Sequence, residues 1–530
     1  MLKKVLNAKT TGQVNELINL IKKRYNIDWV PIGNNESNHS TFQILSKGEN
    51  GIIERLTNAI DAVIEKEYYL HPDESIRSPR ISGEKYFGIK NGDLSQYTST
   101  EVDDNKKKLV ELRVSESEKK GRPTIEIRDK GIGLTAKEFE KTILSLQAGN
   151  KLQKFYLAGT FGQGGSTANI FSQHTIYISK VISEKDNSNK VTFTITKDMD
   201  DFAYKAPIHL YMIDKDTGYP ITIVDDENLF ESGTLVKHIE MNVGGYGKSD
   251  ANAPGSNSML HFVNNTLFNP ILPIKVIEER ESVAKTNIER NNNFRTAIGY
   301  HSRLNNSDKV VSGGTIVCGY KFGGKFIINY WILDTRDDYK SFNEKNTPVL
   351  YTVNGQVQGS ETNNIFNKIG KPYLMEHVIV NVDCDGMSDG CKTRLFTSDR
   401  IRFQNNDYSY ALREKVQEFL SNDDNLNKYN KIFHERMLNS ATDDLTNELN
   451  KKIENKLKVF LTSGGIGNIS ERPSKINPSP EPYVSQATEE FPTFLNITNK
   501  DPYELEIDKN LSLNYASDAD YEKFDMASNL

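Results

Sequence analysis

The chain has 530 residues, a formal net charge of −6 and 26% charged residues. Its length suggests several domains, and its mildly acidic balance gives no global electrostatic case for binding nucleic acid or an anionic membrane. The three cysteines, Cys318, Cys384 and Cys391, form no C-x-x-C pair, which fits a reducing compartment without disulfides. The chain has no apolar run near the roughly 18 residues that span a bilayer, and its start lacks the apolar core of a signal peptide. We therefore expect a soluble, cytoplasmic protein with no membrane partner.

The clearest predicted helix covers residues 51–67. Its apolar residues recur at helical spacing and form one face, made of Ile52, Ile53, Leu56, Ile60, Val63 and Ile64. Glu54, Asn58 and Asp61 stand at i, i+4 and i+7 and share the opposite stripe. One interpretation of this stripe is an ordinary solvated face. The functional interpretation is that the amide ligates Mg²⁺ while a carboxylate polarises a water.

Two alternating segments, 109–115 and 124–128, predict a β-hairpin. The second strand ends in Asp129, which is followed by Gly131 and Gly133. A carboxylate at a strand end can accept a hydrogen bond from an amino group, and glycines allow the backbone to lie against a flat ligand. A hairpin turn that contains Asp and Gly explains the same residues without a ligand.

A glycine-rich stretch covers residues 159–167 and leads into a segment compatible with a helix. Free N–H groups at such a helix start suit phosphate. The stretch nearly matches the P-loop pattern G-x-x-x-x-G-K-[ST], with Gly159, Gly164 and Ser166 in place, but Gly165 stands where the lysine is required. The missing lysine argues against a P-loop, and a tight strand–helix turn is the alternative without a ligand.

Beyond residue 173, the sequence predicts a first group of strands and then a second group that also contains a helix. Alternating patterns predict strands over 174–182, 191–197, 208–213, 220–224 and 233–239. A second group of elements follows in the order β-β-α-β, with a hairpin over 315–335, a strand and turn over 348–355, a helix over 361–370 and a strand over 375–383. Residues 383–390 contain Asp and Gly as in a Ca²⁺ loop but lack the terminal glutamate of an EF-hand, so we interpret them as a turn.

Three motifs in this order are more specific than any one alone: Glu54-x-x-x-Asn58-x-x-Asp61-Ala62, Asp129-x-Gly131-x-Gly133 and Gly159-x-x-Gly162-x-Gly164. In these motifs and their spacing the chain resembles the GHKL superfamily (gyrase, heat-shock-ninety chaperones, histidine kinases and MutL), whose ATP site is the Bergerat fold. Gly233-Thr234 is similar to the family's fourth motif. The heat-shock-ninety, MutL and MORC-like branches are the most similar. The residues before the first motif hold one histidine, His39, which disfavours a histidine kinase with its phospho-acceptor helix.

The resemblance implies ATP and Mg²⁺ as cofactors and a role for each matched residue. Glu54 would be the general base that activates the attacking water, and Asn58 would ligate the Mg²⁺ that bridges the phosphates. Asp61 would support the nucleotide pocket. Asp129 would accept a hydrogen bond from the adenine amine, with Thr234 helping through a water.

The glycines would lie along the nucleotide. Gly131 and Gly133 would let adenine and sugar approach the backbone. The residues implied to cap the phosphates are Gly159, Gly162, Gln163, Gly164, Gly165 and Ser166. Lys151, in a lid over about 134–158 that includes a predicted helix at 135–155, resembles a lysine of the MutL and MORC branches that touches phosphate.

The implied fold class is α+β. A Bergerat α/β sandwich, a mixed sheet with helices on one face, would occupy residues 1–248, and an S5-like β-β-α-β transducer domain would occupy 249–405. A helical segment would follow over 406–465 and a Pro/Gly-rich linker over 466–492. Residues 493–530 form a short strand-like segment that could begin a further domain.

A transducer domain of this kind delivers one basic residue to the γ-phosphate. The segment from Leu395 to Arg402 resembles the arginine loop of the heat-shock-ninety branch, which makes Arg400 the candidate. Arg394, Arg402 and Lys392 are the alternatives, and a solvated basic loop is the alternative without a catalytic role.

The resemblance therefore predicts an ATPase that acts as a molecular clamp or chaperone-like machine. ATP would order the lid and bring two copies together as a homodimer, and hydrolysis would reopen them. A protein or a DNA client is compatible with the sequence, and a role in bacterial genome defence or stress follows only by analogy. The alternative function is a nucleotide-gated scaffold with negligible turnover.

Overall fold

The structure is a computed structural model. It describes residues 1–42, 47–98, 109–146, 154–159, 166–199, 206–253, 255, 257–283, 293–343, 346–397, 402–439, 495–497 and 515–517. The chain divides into two units, Met1–Asp444 and Leu445–Leu530. The first unit is a mixed α+β structure with two mixed sheets. In the part of the chain that is described, no helix has the length and apolar character needed to cross a bilayer.

The described helices of the first unit are short, apart from those over Thr11–Lys22, Gly48–Leu70, Asp407–Asn422 and residues 424–439. In chain order they are α1 (Leu2–Asn7), α2 (Thr11–Lys22), α3 (His39–Phe42), α4 (Gly48–Leu70), α5 (Pro79–Phe87), α6 (Ala136–Lys141), α7 (Met259–Thr266), α8 (Gly299–Asn305), α9 (Arg336–Phe342), α10 (Ile365–Lys368), α11 (Asp389–Leu395) and α12 (Asp407–Asn422). Residues 424–439 are also helical, and Ser166–Phe171 form a 3₁₀ helix.

Ten strands form the larger sheet: β1 (Ile27–Pro31), β2 (Val110–Ser115), β3 (Thr124–Asp129), β4 (His174–Lys180), β5 (Lys190–Met199), β6 (Ile208–Asp214), β7 (Ile221–Val224), β8 (Gly233–Ile239), β9 (Ile274–Glu278) and β10 (Phe294–Ala297). Their order is β1-β6-β5-β4-β8-β3-β2-β9-β10, and β7 pairs with β5 beside this path. The β2–β9 pair is parallel, and the other described pairs of this sheet are antiparallel.

Helix α4 packs across one face of the larger sheet, as its apolar spacing predicts. Its side chains Ile52, Leu56 and Ile60 are buried against strand residues such as Leu112 and Ile127. Burial of several such aliphatic side chains, at about 1.5–3 kcal/mol each, makes this interface a main source of stability. This packing fixes the position of α4 along its axis and its rotation about that axis. It thereby positions Glu54, Asn58 and Asp61.

The other face of the sheet is also covered, and here the expectation of helices on one face is wrong. Ile176 and Ile178 of β4 pack with α1 and α2, whereas Tyr177 between them points to the α4 side, where Arg55 lies over its ring. Alternation along a strand sends neighbouring side chains to opposite faces. The N-terminal helices therefore close the face opposite α4.

Five strands form the second sheet: β11 (Val310–Gly319), β12 (Lys325–Leu333), β13 (Val349–Val353), β14 (Gln356–Glu361) and β15 (Val378–Asp383). Their order is β11-β12-β15-β13-β14, with β13 parallel to β15. Leu412, Val416 and Leu420 of α12 are buried in the same core as this sheet. The predicted strands of this region are confirmed, but α10 is shorter than the helix predicted over 361–370.

Two predicted boundaries do not coincide with the sheets. β9 and β10 lie beyond residue 248 and yet belong to the larger sheet. The helices after residue 406 belong to the core of the second sheet instead of forming a separate segment. In the second unit, β16 (Leu495–Ile497) pairs antiparallel with β17 (Tyr515–Ser517), and the predicted linker over 466–492 lies outside the described residues.

The helix predicted over 135–155 is described as far as residue 146 and is much shorter. α6 ends at Lys141, and Leu144 N–H turns back to donate to the carbonyl of Phe139 at 2.9 Å. This turn lets Leu144 and Leu146 join Phe139 in one apolar cluster. Residues 147–153 of the predicted lid are outside the described residues.

Candidate functional site

The polar stripe of α4 is buried rather than solvated. Glu54 is 6% exposed and Asp61 is 2% exposed, while Asn58 between them is half-buried. Carboxylates are almost never this buried without a specific reason. This burial excludes an ordinary solvated face for Glu54 and Asp61.

Asp61 connects α4 to the start of the glycine-rich stretch. Its Oδ1 accepts a hydrogen bond from Ala158 N–H at 2.7 Å, and its Oδ2 accepts one from Gly159 N–H at 3.1 Å. Hydrogen bonds from backbone amides to a carboxylate are stronger than those between neutral groups. The carboxylate therefore fixes the entry of the stretch against α4 instead of leaving both oxygens for a ligand.

Asp129 is a buried carboxylate, 5% exposed, at the end of β3. Its Oδ1 accepts hydrogen bonds from Gly131 N–H at 2.9 Å and Thr234 N–H at 3.1 Å. Burial raises the pKa of Asp129 to about 6, opposed by the charge of Arg128 and by these two bonds. At neutral pH the carboxylate is mostly ionised and can act only as a hydrogen-bond acceptor.

Gly131 and Gly133 allow the segment after Asp129 to pack between α4 and β4. A Cβ at Gly131 would overlap the backbone of Ala62, and Ile132 N–H donates to the Ala62 carbonyl at 3.0 Å. Gly133 has a φ of +71°, and a Cβ there would overlap the carbonyl of Lys180. Protein packing therefore requires both glycines whether or not a ligand is bound.

Thr234 is buried at the start of β8, and its hydroxyl lies 2.9 Å from the Ser179 hydroxyl of β4. Ser179 Oγ also accepts a hydrogen bond from Leu134 N–H at 2.8 Å. These contacts connect the fourth motif to the segment that follows Gly133. Ser179 was not predicted, because a serine in an alternating strand carries no local signal.

Arg128 is a second residue that the sequence did not reveal. Its guanidinium lies 4.1 Å from the ring centroid of Phe230 and donates to the carbonyls of Glu231 at 2.7 Å and Ser232 at 3.1 Å. It thereby holds the segment before β8 next to Asp129. Its partners lie about a hundred positions away, so no spacing rule could have found it.

The turn between β13 and β14 reaches the same region from the second sheet. Asn354 Nδ2 donates to the Ala158 carbonyl at 2.7 Å, and Thr57 Oγ1 of α4 donates to Gln356 Oε1 at 3.4 Å. The Asn354-Gly355 pair is a recognisable hairpin signal. Its contact with the entry of the glycine-rich stretch has no signal in the sequence.

Several predicted residues cannot be placed. Those outside the described residues are Lys151, Gly162, Gln163, Gly164, Gly165 and Arg400. Ser166 begins the 3₁₀ helix after the stretch. Two of the alternatives to Arg400 pair locally, Lys392 with Asp389 at 3.3 Å and Arg394 with the Tyr408 hydroxyl.

The chain matches none of the models of known protein families against which it was compared. A search of curated proteins likewise finds no match. The interpretation of the site therefore depends on the residues and their geometry.

Proposed function

We propose that this chain binds ATP and hydrolyses it with Mg²⁺, as a GHKL protein. One observation supports the proposal most. Four segments that are distant in sequence are joined by direct hydrogen bonds: Asp61 to Gly159, Ala62 to Ile132, and Asp129 to Thr234. A set of unrelated turns would have no reason to converge in this way.

The chemistry of the converging groups suits a nucleotide. The ionised Asp129 supplies an acceptor for an exocyclic amine, and Asn58 on α4 supplies an amide oxygen for Mg²⁺. No group of three or more His, Cys, Asp or Glu side chains that could hold a metal occurs among the described residues. Mg²⁺ would therefore take most of its oxygens from phosphates and water, as it commonly does in phosphate-binding sites. Glu54 lies one helical turn before Asn58 and serves as the general base.

In this proposal the larger sheet with α4 is a Bergerat domain, and the second sheet is an S5-like transducer. In chain order the elements of this region are β11, β12, α9, β13, β14, α10 and β15, and the run β13-β14-α10-β15, which has the β-β-α-β order, supports the second assignment. Two copies close on ATP and reopen after hydrolysis, with a protein or DNA client. A scaffold that binds ATP without turnover is the alternative function. Measurements of ATP binding and of phosphate release distinguish it from an ATPase.

Two variants test the proposal in parallel assays of ATP binding by calorimetry and of phosphate release. Asp129→Asn should weaken ATP binding about 10- to 200-fold, because a hydrogen bond to a charged group contributes about 1.5–3 kcal/mol. Glu54→Gln should bind ATP normally and release phosphate about 10²- to 10⁴-fold more slowly. Asp226→Asn, at an exposed position, is the control.

The assays distinguish the possible outcomes. Wild-type binding without phosphate release would select the scaffold, and stimulation of release by added DNA would select a clamp on nucleic acid. Undisturbed ATP binding by Asp129→Asn would contradict the site itself. Wild-type turnover by Glu54→Gln would contradict only the role of Glu54.

A further inference from the structure

A buried polar cluster lies between α4 and the strands β4 and β8, and it contains a positive charge. Arg55 is 3% exposed. Its Nη2 donates to Asn169 Oδ1 at 3.3 Å and to the Tyr177 hydroxyl, and its guanidinium lies 5.0 Å from the Tyr177 ring centroid. These partners are neutral, and among the described residues no carboxylate forms an ion pair with Arg55. A buried charge without a counter-ion is strongly unfavourable.

Within the described part of the chain, two hydrogen-bond donors of this cluster have no acceptor. They are Arg55 Nε and Asn169 Nδ2, both shielded from solvent and without a partner among the described residues. Asn169 Oδ1 already accepts from the Tyr177 hydroxyl at 2.7 Å, so the orientation of its amide is fixed and Nδ2 cannot exchange places with it. A native interior rarely leaves even one such group unpaired.

His238 extends the cluster. It is 0% exposed, and its Nδ1 lies 3.1 Å from the Thr175 hydroxyl and 3.3 Å from that of Ser172. Ser172 Oγ in turn donates to the Asn169 carbonyl at 3.0 Å. Burial and the charge of Arg55 lower the pKa of His238 well below its usual range, so the ring is neutral. Its Nε2 is a third buried polar atom that has no partner in the described ranges.

The donors Arg55 Nε and Asn169 Nδ2 need a hydrogen-bond acceptor, and the charge of Arg55 needs a counter-ion. An acceptor that carries negative charge would supply both. Water would offer lone pairs, but it brings two hydrogens that also need acceptors and no charge. A carboxylate or phosphate ester on a larger molecule would have to enter past side chains such as Tyr177, which is completely buried. A small monovalent anion meets both the charge and the hydrogen-bond requirement.

We propose that a halide ion, chloride under cellular conditions, binds in this cluster and accepts hydrogen bonds from Arg55 Nε and Asn169 Nδ2. Binding selects the tautomer of His238 in which Nε2–H is a third donor and Nδ1 accepts from Thr175. Asn169 belongs to the 3₁₀ helix that follows the glycine-rich stretch, so the anion fixes that helix to α4. None of these residues is among those assigned to ATP, and the inference does not depend on ATP binding.

Thermal unfolding of the full chain in sodium chloride against sodium gluconate, at constant ionic strength, tests the site. The Tm should rise by about 1–3 °C for each tenfold increase in chloride above its Kd. Bromide should act in the same way, and an anomalous peak beside Arg55 in a bromide-soaked crystal would place it. An equal Tm in chloride and gluconate would overturn the proposal.

Asn169→Asp is the sharpest variant, because its second carboxylate oxygen would stand where Nδ2 now has no partner. We expect this variant to lose the chloride dependence and to have a Tm in gluconate at or above that of the wild type. Arg55→Met should also lose the dependence, and Arg122→Met, at an exposed position, should retain it. Full chloride dependence in Asn169→Asp would contradict the site, and this variant carries the test even where Arg55→Met fails to fold.

Discussion

Asp129 is under two opposing influences. Burial favours its neutral form and raises its pKa to about 6, whereas Arg128 and the N–H groups of Gly131 and Thr234 favour the carboxylate. The neighbours do not fully offset the burial, so ionisation of this residue reduces the stability of the unliganded protein. A group that is kept ionised at such a disadvantage is typical of a functional site.

In the proposed ATP site, the affinity for ATP should therefore depend on pH. Protonation of Asp129 converts an acceptor into a donor, so binding should weaken as the pH falls through about 6, by up to about tenfold per unit. Calorimetry between about pH 5 and pH 8 measures this. Asp129→Asn retains the titration of the phosphates and is the reference, and a wild type that follows the same profile would contradict the assigned role.

At the scale of elements, the N-terminal helices are attached to the sheet by charge as well as by apolar packing. Glu279, just after β9, accepts hydrogen bonds from Lys9 at 2.7 Å and from the Ser115 hydroxyl at 2.8 Å, and it pairs with Arg113. These partners lower the pKa of Glu279 to about 2. Because the folded pKa is below the unfolded one, the contribution to stability is present above about pH 4 and is lost as the pH falls towards 2.

Glu279→Gln should destabilise the protein by about 1–3 kcal/mol at neutral pH, since it removes charge-assisted bonds from a half-buried site. It should also reduce the loss of stability between about pH 4 and pH 2. Glu227→Gln is the matched control, because Glu227 pairs with Lys3 of the same segment while both side chains are more than 60% exposed. Denaturant unfolding should show a change below about 0.5 kcal/mol for the control, and equal effects would contradict a role for Glu279 as the anchor.

Local patterns in the sequence predicted α4 and the position of Asp129 at the end of β3, because helical and strand periodicities are read within about fifteen residues. The four motifs were recognised through the resemblance to the GHKL superfamily, which depends on short runs of residues. The residues alone could not give the partners of Asp129 and Asp61, because the positions of Thr234 and Ala158 are set by strand order and loop path. Only the resemblance associated Thr234 with Asp129, and it did so through a water instead of the direct bond from Thr234 N–H. The sequence did not predict that α1 and α2 pack on the face of the larger sheet opposite α4. The amphipathic pattern of a helix does not show which face of a sheet it packs against.

At the scale of the whole first unit, the turn between β13 and β14 of the second sheet contacts the segment between α7 and β9. Gly355 has a φ of +74°, and a Cβ there would overlap the carbonyl of Asn269 and the guanidinium of Arg80. Asn269 N–H also donates to the Gly355 carbonyl at 3.0 Å. Together with Asn354 on Ala158, this turn gives the second sheet a direct contact with the candidate site.

Gly355→Ala should consequently disturb both stability and activity. Gly370 offers a matched comparison, because its φ is +72° and, among the described residues other than its chain neighbours, no atom lies within 4 Å of the position of a Cβ. We expect about 1–2 kcal/mol of destabilisation for Gly370→Ala from the backbone conformation alone. Gly355→Ala should reduce the free energy of unfolding by about a further 1–3 kcal/mol, which is typical of overpacking. It should also slow phosphate release. Equal unfolding free energies for the two variants would mean that the close approach of the turn contributes nothing.

The parallel pairing of β2 with β9 has a consequence for synthesis on the ribosome. Residues 110–115 must wait for residues 274–278 before that edge of the sheet can form, and Ile274 and Val276 also belong to the core under α4. At typical rates of translation the interval is about 8–30 s. During this time the apolar face of α4 has only part of its cover, so the nascent chain presents a binding surface for general chaperones until β9 is added.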